Sequence, residues 1–453
     1  MAQHQVDAVV VGMGVGGEEV AGQLAEAGLD VVGIEAGLVG GECPYWGCIP
    51  SKMMIRATNL LAEAGRVEGM AGHAAVTPEW GPVAERIRRE ATDDWDDRVA
   101  VERFTGKGGR FVRGRGRLAG PGRVVVEGEV FTARRAVVVA TGTVPVVPPI
   151  DGLAATPYWT NREAIEADVL PGSLLVLGGG AVGLELAQVY ARFGVAVTVV
   201  EARDRLLSVE EPEASALARV ALEADGIAVR TGVQASAVNH GGGRFAATLD
   251  EGGELTGERL LVAVGRCADL ASLDGGTIGL DPLAPAVGVD DRMRAGEGVW
   301  AVGDVTGHGA FTHMAMYQAR IATRDILGRT GPPADYRAVP RVTFTDPEIG
   351  AVGLTEEQAR DVGLRVATGV ARVPASARGW IHKAGNDGVI KLVADADRGV
   401  LVGATSAGPT GGEVLGSLAV AVHGAVPVDR LRHMIYAYPT FHRAIEDALR
   451  ALG

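Results

Sequence analysis

Two cysteines, Cys43 and Cys48, stand in the stretch Gly41-Glu42-Cys43-Pro44-Tyr45-Trp46-Gly47-Cys48-Ile49-Pro50-Ser51-Lys52, and the 453-residue chain has only one other. Their C-x₄-C spacing is too wide for the C-x₂-C knuckle of a zinc site, no second pair completes such a site, and no metal ligand set is expected. Two readings remain: a redox disulfide closed across one turn of backbone, or two buried, inert thiols. Pro50 fits the first turn of a helix, where its missing N–H costs nothing. Cys48 would then lie near that helix's N-terminus, where the positive end of the dipole favours a thiolate.

The neighbouring chain favours the redox reading. Val6–Val11 is a β-branched apolar run typical of a buried parallel strand, and it enters Gly12-x-Gly14-x-x-Gly17, a helical stretch to about Ala27, and a strand Asp30–Ile34 ending in Glu35. This is the dinucleotide fingerprint in its required context: glycines bring backbone against a pyrophosphate at a helix N-terminus, and the acidic residue accepts from ribose hydroxyls. The pattern then repeats. Ser173–Leu177 leads into Gly178-x-Gly180-x-x-Gly183, a helix to about Phe193, and a strand Val195–Val200 closed by Glu201, with the acid at the same offset from the first glycine in both copies. Two dinucleotides are implied. Glu201 would repel a 2′-phosphate and so favours NADH, although the nearby Arg203 and Arg205 weaken the argument against NADPH.

Three strand ends carry further candidates. Thr141-Gly142 follows the apolar run Arg134–Ala140, and Gly265-Arg266 follows Leu260–Val264. Each is a turn that lets backbone pass close to a cofactor, or an ordinary turn. Gly303-Asp304 follows Val299–Val302, and its carboxylate either holds a cofactor's sugar-alcohol hydroxyls or caps the next helix, Phe311 to about Leu327.

These sites need a scaffold. The chain is 47% apolar and carries 66 glycines without a period, which suits an α/β protein with many tight strand-to-helix turns. A net charge of −13 and the absence of a basic block argue against a nucleic-acid partner. No signal peptide, membrane span or secreted disulfide framework is legible, so a cytoplasmic protein is expected. A helix is expected over Lys52–Gly65, a polar helix over Pro82–Phe104, and strands over Arg110–Leu118 and Arg123–Val130, with the Arg113–Arg117 cluster read as a turn leading into a strand. Beyond the Pro332–Pro340 linker, strands near Arg341–Phe344, Arg365–Val373, Val389–Ala394 and Gly399–Ala407 alternate with two or three helices in an α+β tail.

Taken together, the two dinucleotide units, the C-x₄-C motif, Gly303-Asp304 and the α+β tail resemble the flavin-dependent pyridine nucleotide–disulfide oxidoreductases, the group of dihydrolipoamide dehydrogenase, glutathione reductase and mercuric reductase. Gly47-Cys48-Ile49-Pro50-Ser51-Lys52 is the most specific piece of the resemblance. It implies FAD in the first unit, nicotinamide in the second, and a homodimer in which one subunit's tail completes the other's active site. The implied fold is two Rossmann-like domains plus a C-terminal α+β dimerisation domain: FAD-binding 1–150 with 268–333 returning to it, NAD(P)-binding 151–267, and interface 334–453. Cys48 would be the sulfur beside the flavin, Cys43 the sulfur that meets substrate, and Lys52 would pair with Glu185, stabilising negative charge on reduced flavin. Electrons would pass from NADH through FAD to the Cys43–Cys48 disulfide and on to a small-molecule acceptor.

One part of the pattern departs. Disulfide-reducing members carry His-Pro-Thr-x-x-Glu near the C-terminus, the His being the acid–base group. This chain reads Tyr438-Pro439-Thr440-Phe441-His442-Arg443, with Tyr438 at the His position and Arg443 at the Glu position. A Tyr of pKa about 10 is a poor base at neutral pH. His442, His433 and His313 are the substitutes considered. An acceptor other than lipoamide is therefore expected: a small disulfide, a quinone or, as in mercuric reductase, a metal ion. The terminal cysteine pair of mercuric reductase is absent from Ala448–Gly453, however. Tyr45 and Trp46 either flank a flat acceptor or pack under the flavin. A dihydrolipoamide dehydrogenase activity and a non-catalytic, redox-sensing flavoprotein are the competing expectations, and Cys267 is expected to be an inert buried thiol.

Overall fold

A computed structural model describes residues 2–452, which divide into two compact units: residues 1–50, 85–146 and 266–336, and residues 51–84, 147–265 and 337–453. In the first, an eight-stranded sheet runs in the order Arg294–Gly296, Val299–Ala301, Glu129–Val139, Gln3–Val11, Val31–Glu35, Arg110–Arg113, with Arg117–Leu118 and Arg123–Val126 attached at its side. The central pairs are parallel, with Val9 opposite both Val32 and Val137. Val6 and Ala8 to Val10 are fully buried, as expected of a strand covered on both faces. One face is covered by helices Val15–Glu26 and Thr312–Ile326, whose Val20, Leu24, Ala319 and Ala322 share a core with Val10 and Val138.

Two sequence expectations are corrected here. The polar helix over Pro82–Phe104 is broken into Gly81–Arg86, a π-turn Ile87–Ala91 and Arg98–Gly106. Asp93, Asp94 and Trp95 all take positive φ, and the break turns Asp97 inward, where one carboxylate oxygen accepts from the Val39 N–H at 2.7 Å and from Arg113 at 2.5 Å. The strand pair around residue 128 is also reset. Glu127 and Gly128 have φ of 47° and 80°, the signature of a type I′ hairpin turn, so residues 129–133 belong to the following strand.

The second unit holds three sheets. A parallel one orders Ala228–Thr231, Ala196–Glu201, Ser173–Leu177 and Arg259–Val262, and a three-stranded antiparallel one spans residues 235–257. The third is five-stranded and antiparallel: Pro340–Thr343, Glu348–Gly353, Val400–Gly408, Val389–Asp395 and Val366–Arg372. The strand Glu348–Gly353 was not expected. Gly350 is small because helix Gly411–His423 passes over it: a Cβ there would lie 3.2 Å from the Gly411 carbonyl oxygen. The tail also holds five α-helices among the described residues rather than two or three; three of them span only five or six residues, too short to show a period.

Candidate active site

The two glycine turns are built alike. Gly12 has φ +92° and presses on the strand beside it, where a Cβ would lie 2.6 Å from the Ala140 carbonyl carbon; Gly178 has φ +111° and would strike the Ala263 carbonyl carbon at 2.7 Å. The middle glycines do the opposite. A Cβ on Gly14 would meet nothing nearer than Gly41 Cα at 3.9 Å, and one on Gly180 nothing within 4 Å, so both leave backbone open to a ligand. Gly17 and Gly183 pack back on the carbonyls of Gly12 and Gly178.

The acids repeat the symmetry. Glu35 accepts from the Met13 and Gly37 N–H groups, each at 2.7 Å, while Glu201 accepts from Gly179 at 2.5 Å and Arg203 at 2.7 Å. Each carboxylate is thus aimed by its own turn and retains lone pairs for sugar hydroxyls. Arg205 is committed to the carbonyls of Leu207, Ser208 and Glu210, and the Arg203 side chain is exposed. The residues present therefore fit two dinucleotides.

At the strand ends of the first unit, Arg266 donates to the Thr143 hydroxyl at 2.9 Å and its carbonyl at 2.7 Å, and lies 3.8 Å from Glu42. The Thr143 hydroxyl is 3.4 Å from Asp304, whose carboxyl is pushed up by burial against the opposing pull of Arg266 and Thr143. Gly303 is held by its N–H to Gln318 at 2.7 Å. Thr141 is exposed and Gly142 half-buried beside this group. Gly265, by contrast, falls in the second unit, next to the crossing at Arg266.

The redox stretch begins against the first glycine turn, where the Gly40 N–H donates to the Met13 carbonyl at 2.7 Å. It forms a short helix Glu42–Trp46, a break at Gly47, and a helix Cys48–Gly65. Cys48 is the first residue of that helix and Pro50 falls in its first turn, as the sequence predicts. Cys43 is half-buried, Cys48 is exposed, and both are thiols. The hydrogen bond with Cys48, and then burial, push the Cys43 thiol far above the ordinary range. Cys48 Sγ lies 3.2 Å from the hydroxyl of Thr312, the first residue of its helix. Tyr45 is 6% exposed and sits in the core, so it is not free to flank an acceptor.

In the second unit, Lys52 Nζ lies 2.7 Å from Glu185 Oε2. Glu185 is buried, at 6% exposed. Its other oxygen accepts from the Phe344 N–H at 2.8 Å, and the Phe344 ring lies 4.7 Å from Lys52 Nζ.

The C-terminal motif contains no base–carboxylate pair. Tyr438 is 70% exposed, with the Arg443 guanidinium 5.5 Å from its ring centre. Arg443 pairs with Glu446 at 2.7 Å, and Arg450 pairs with the other oxygen of Glu446 at 3.0 Å. His442 lies on a 3-10 turn, Phe441–Arg443, and faces the Thr440 hydroxyl at 3.4 Å; His433 is exposed, and His313 stacks on Phe311. Sequence reasoning missed Thr312, Thr143 and Phe344. Thr312 could have been suspected from its place at a helix start; Phe344 acts through a backbone N–H, which leaves no mark on residue type.

The profile described as pyridine nucleotide-disulphide oxidoreductase matches residues 6–319, and that of its dimerisation domain matches residues 339–449. The chain is similar to the dihydrolipoyl dehydrogenase of Halobacterium salinarum, 34% identical over 469 residues covering 99% of this chain and 96% of the relative. It is 33% identical to the mercuric reductase of Shewanella putrefaciens over 449 residues, covering 95% of this chain and 78% of that one. Among solved structures, the Cu(II) complex of the HOCl-induced flavoprotein disulfide reductase RclA from Escherichia coli superposes with a TM-score of 0.87 at 25% identity, covering 99% of each chain. LpdA from Mycobacterium tuberculosis gives 0.85 at 26% identity, again over 99% of each.

Proposed function

The chain belongs to the pyridine nucleotide–disulphide oxidoreductases, enzymes that bind FAD and use NAD(P)H, and from that premise we propose that it reduces an acceptor needing no proton transfer from the tail motif: a metal ion in the first place, a quinone in the second. The observation that carries this is the tail motif: Tyr438 and Arg443 occupy the positions of the usual base and its carboxylate, so no group there can take and return the proton that exchange with a disulfide substrate needs. Two similar proteins point the same way by name, a mercuric reductase and a reductase solved as a Cu(II) complex.

In this reading the Gly12–Gly17 turn, Glu35, Thr141-Gly142, Arg266 and Gly303-Asp304 hold FAD. Gly178–Gly183 and Glu201 hold the nicotinamide nucleotide, with NADH preferred because Arg205 is committed to its own loop. When bound, FAD supplies the two-electron relay between nicotinamide and the Cys43–Cys48 disulfide. Reducing that disulfide breaks the S–S bond and leaves a proton on Cys43 and charge on Cys48 facing Thr312. Returning two electrons, to one Hg(II) or to two Cu(II), re-forms the S–S bond and releases the proton; a quinone takes the two electrons with that proton and a second one from water. The 1–150/268–333, 151–267 and 334–453 division and a homodimer complete the proposal, with exposed Tyr438 serving the other copy's site and a reducing, cytoplasmic setting for the pair. No helix among the described residues is long and apolar enough to cross a membrane.

The 34% identity to a dihydrolipoyl dehydrogenase favours the second reading, disulfide reduction. The test is anaerobic. Enzyme reduced with NADH is mixed with Hg(II), Cu(II), a quinone or lipoamide, and flavin reoxidation is followed, with Cys43→Ser as control. Metal-ion turnover that depends on Cys43, with lipoamide slower by about a hundredfold or more, is expected. Fast, Cys43-dependent lipoamide turnover would sink the proposal. The double change Tyr438→His with Arg443→Glu is expected to raise lipoamide turnover about tenfold or more by restoring the pair.

A further inference from the structure

The Lys52–Glu185 ion pair does not stand alone in its unit; a hairpin turn of the tail sheet grips it. The turn joins strands Pro340–Thr343 and Glu348–Gly353. Its Phe344 N–H donates to Glu185 Oε1 at 2.8 Å, and the Phe344 ring presents its face to Lys52 Nζ at 4.7 Å. Lys52 has three donors; one meets Glu185 and one the Ser51 hydroxyl at 3.2 Å, so carboxylate and aromatic face together fix where the ammonium sits.

The turn is itself fixed by the same two helices. On helix Ala181–Arg192, Gln188 accepts from the Asp346 N–H at 2.8 Å and donates to the Asp346 carbonyl at 3.0 Å. Arg192 reaches Asp346 Oδ2 at 2.8 Å, and Arg66, on the segment following helix Cys48–Gly65, reaches the same oxygen at 2.6 Å. Glu185, Gln188 and Arg192 recur at spacings of three and four, so one helix face carries both the pair and its clamp.

We propose that Phe344 and Asp346 are positioning residues for electron entry: the tail hairpin sets the position of the Lys52–Glu185 pair, and through it the rate at which bound flavin accepts hydride. The inference rests on the reading of that pair as the one beside the flavin. Losing the ring removes one of the two groups, Glu185 being the other, that hold the Lys52 ammonium in place. Losing the Asp346 carboxylate leaves two guanidinium groups without their common partner and frees the turn.

The experiment uses FAD-loaded enzyme in anaerobic stopped flow, with flavin bleaching by NADH as readout for Phe344→Leu, Phe344→Tyr, Asp346→Asn and Lys52→Met. Phe344→Leu is expected to slow bleaching at saturating NADH by about three- to tenfold, with half-saturating NADH unchanged, and Phe344→Tyr is expected to restore it. Wild-type bleaching in Phe344→Leu, with Lys52→Met slow, overturns the positioning role and leaves the reading of the pair intact. Wild-type bleaching in Lys52→Met overturns both. Should Phe344→Leu fail to retain FAD, Asp346→Asn decides: slowed bleaching supports the inference and an unchanged rate defeats it.

Discussion

Cys43 and Cys48 are chemically unlike although they differ by five positions. Cys43 is half-buried, and its hydrogen bond with Cys48 and then burial push its thiol up, whereas Cys48 begins a helix and faces the Thr312 hydroxyl at 3.2 Å. Thr312 is therefore a residue whose loss should be read in a titration. A hydrogen bond to a charged group contributes about 1.5–3 kcal/mol, which corresponds to about one or two pH units; Cys48's exposure argues for the lower end. In NADH-reduced Thr312→Ala, thiolate absorbance followed against pH should rise about one unit later than in wild type. A titration that does not move would show that Thr312 only packs there. A Thr312 hydroxyl that donates to the thiolate gives an upward move when it is removed, because the charged form loses a donor; a downward move would show that the Cys48 thiol is the donor of this pair.

At the scale of elements, the most committed contact in the second unit is Lys391, 4% exposed on strand Val389–Asp395. Its ammonium meets Glu211 at 2.9 Å, Glu213 at 2.9 Å and Glu356 at 3.0 Å, which come from the starts of helices Pro212–Ala224 and Glu356–Asp361. The Lys391 pKa is raised by these carboxylates against the cost of burial, and that of Glu356 is lowered by Arg360 and then Lys391. Lys391→Met leaves three like charges together and should destabilise the fold by about 3–5 kcal/mol at neutral pH, measured by urea denaturation. Because the Glu356 carboxyl is depressed on folding, its share of the stability is present above the unfolded carboxylate range and fades as pH falls through the folded value. The penalty of Lys391→Met should accordingly shrink toward acid pH; a penalty independent of pH would assign the loss to packing.

The elements also show what a sequence gives away. The strands that carry Glu35 and Glu201 were legible because burial on both faces makes them continuous apolar runs, and the turns because their glycines answer a steric demand. Lys52 and Glu185 were legible only through resemblance to a family motif. Strand Glu348–Gly353 was hidden because Gly350 serves a helix crossing over it, a demand that comes from residues far along the chain. The break at Asp93–Trp95 was hidden because what turns Asp97 inward is a backbone N–H at Val39 and a guanidinium at Arg113, neither of them local. Phe344 escaped because its main-chain donor has no residue signature and its ring meets Lys52, far away along the chain, only in the fold.

For the whole molecule, the repeated construction has a consequence for inhibition. Glu35 and Glu201 each accept from the second residue of their glycine turn, Met13 and Gly179, and from a residue two positions on, Gly37 and Arg203. What these two places would hold in common is the adenosine diphosphate half that both cofactors share. Free ADP should therefore behave as a ligand with two addresses. Calorimetric titration of FAD-stripped protein should give a stoichiometry near two per chain, and the FAD-loaded enzyme near one. Equal stoichiometry in both would mean that the two cradles, alike in their hydrogen bonds, are not alike to a nucleotide. If they are alike, a rise in free ADP burdens the enzyme twice: it competes with NADH in the finished protein, and with FAD while newly made chains are still acquiring their flavin.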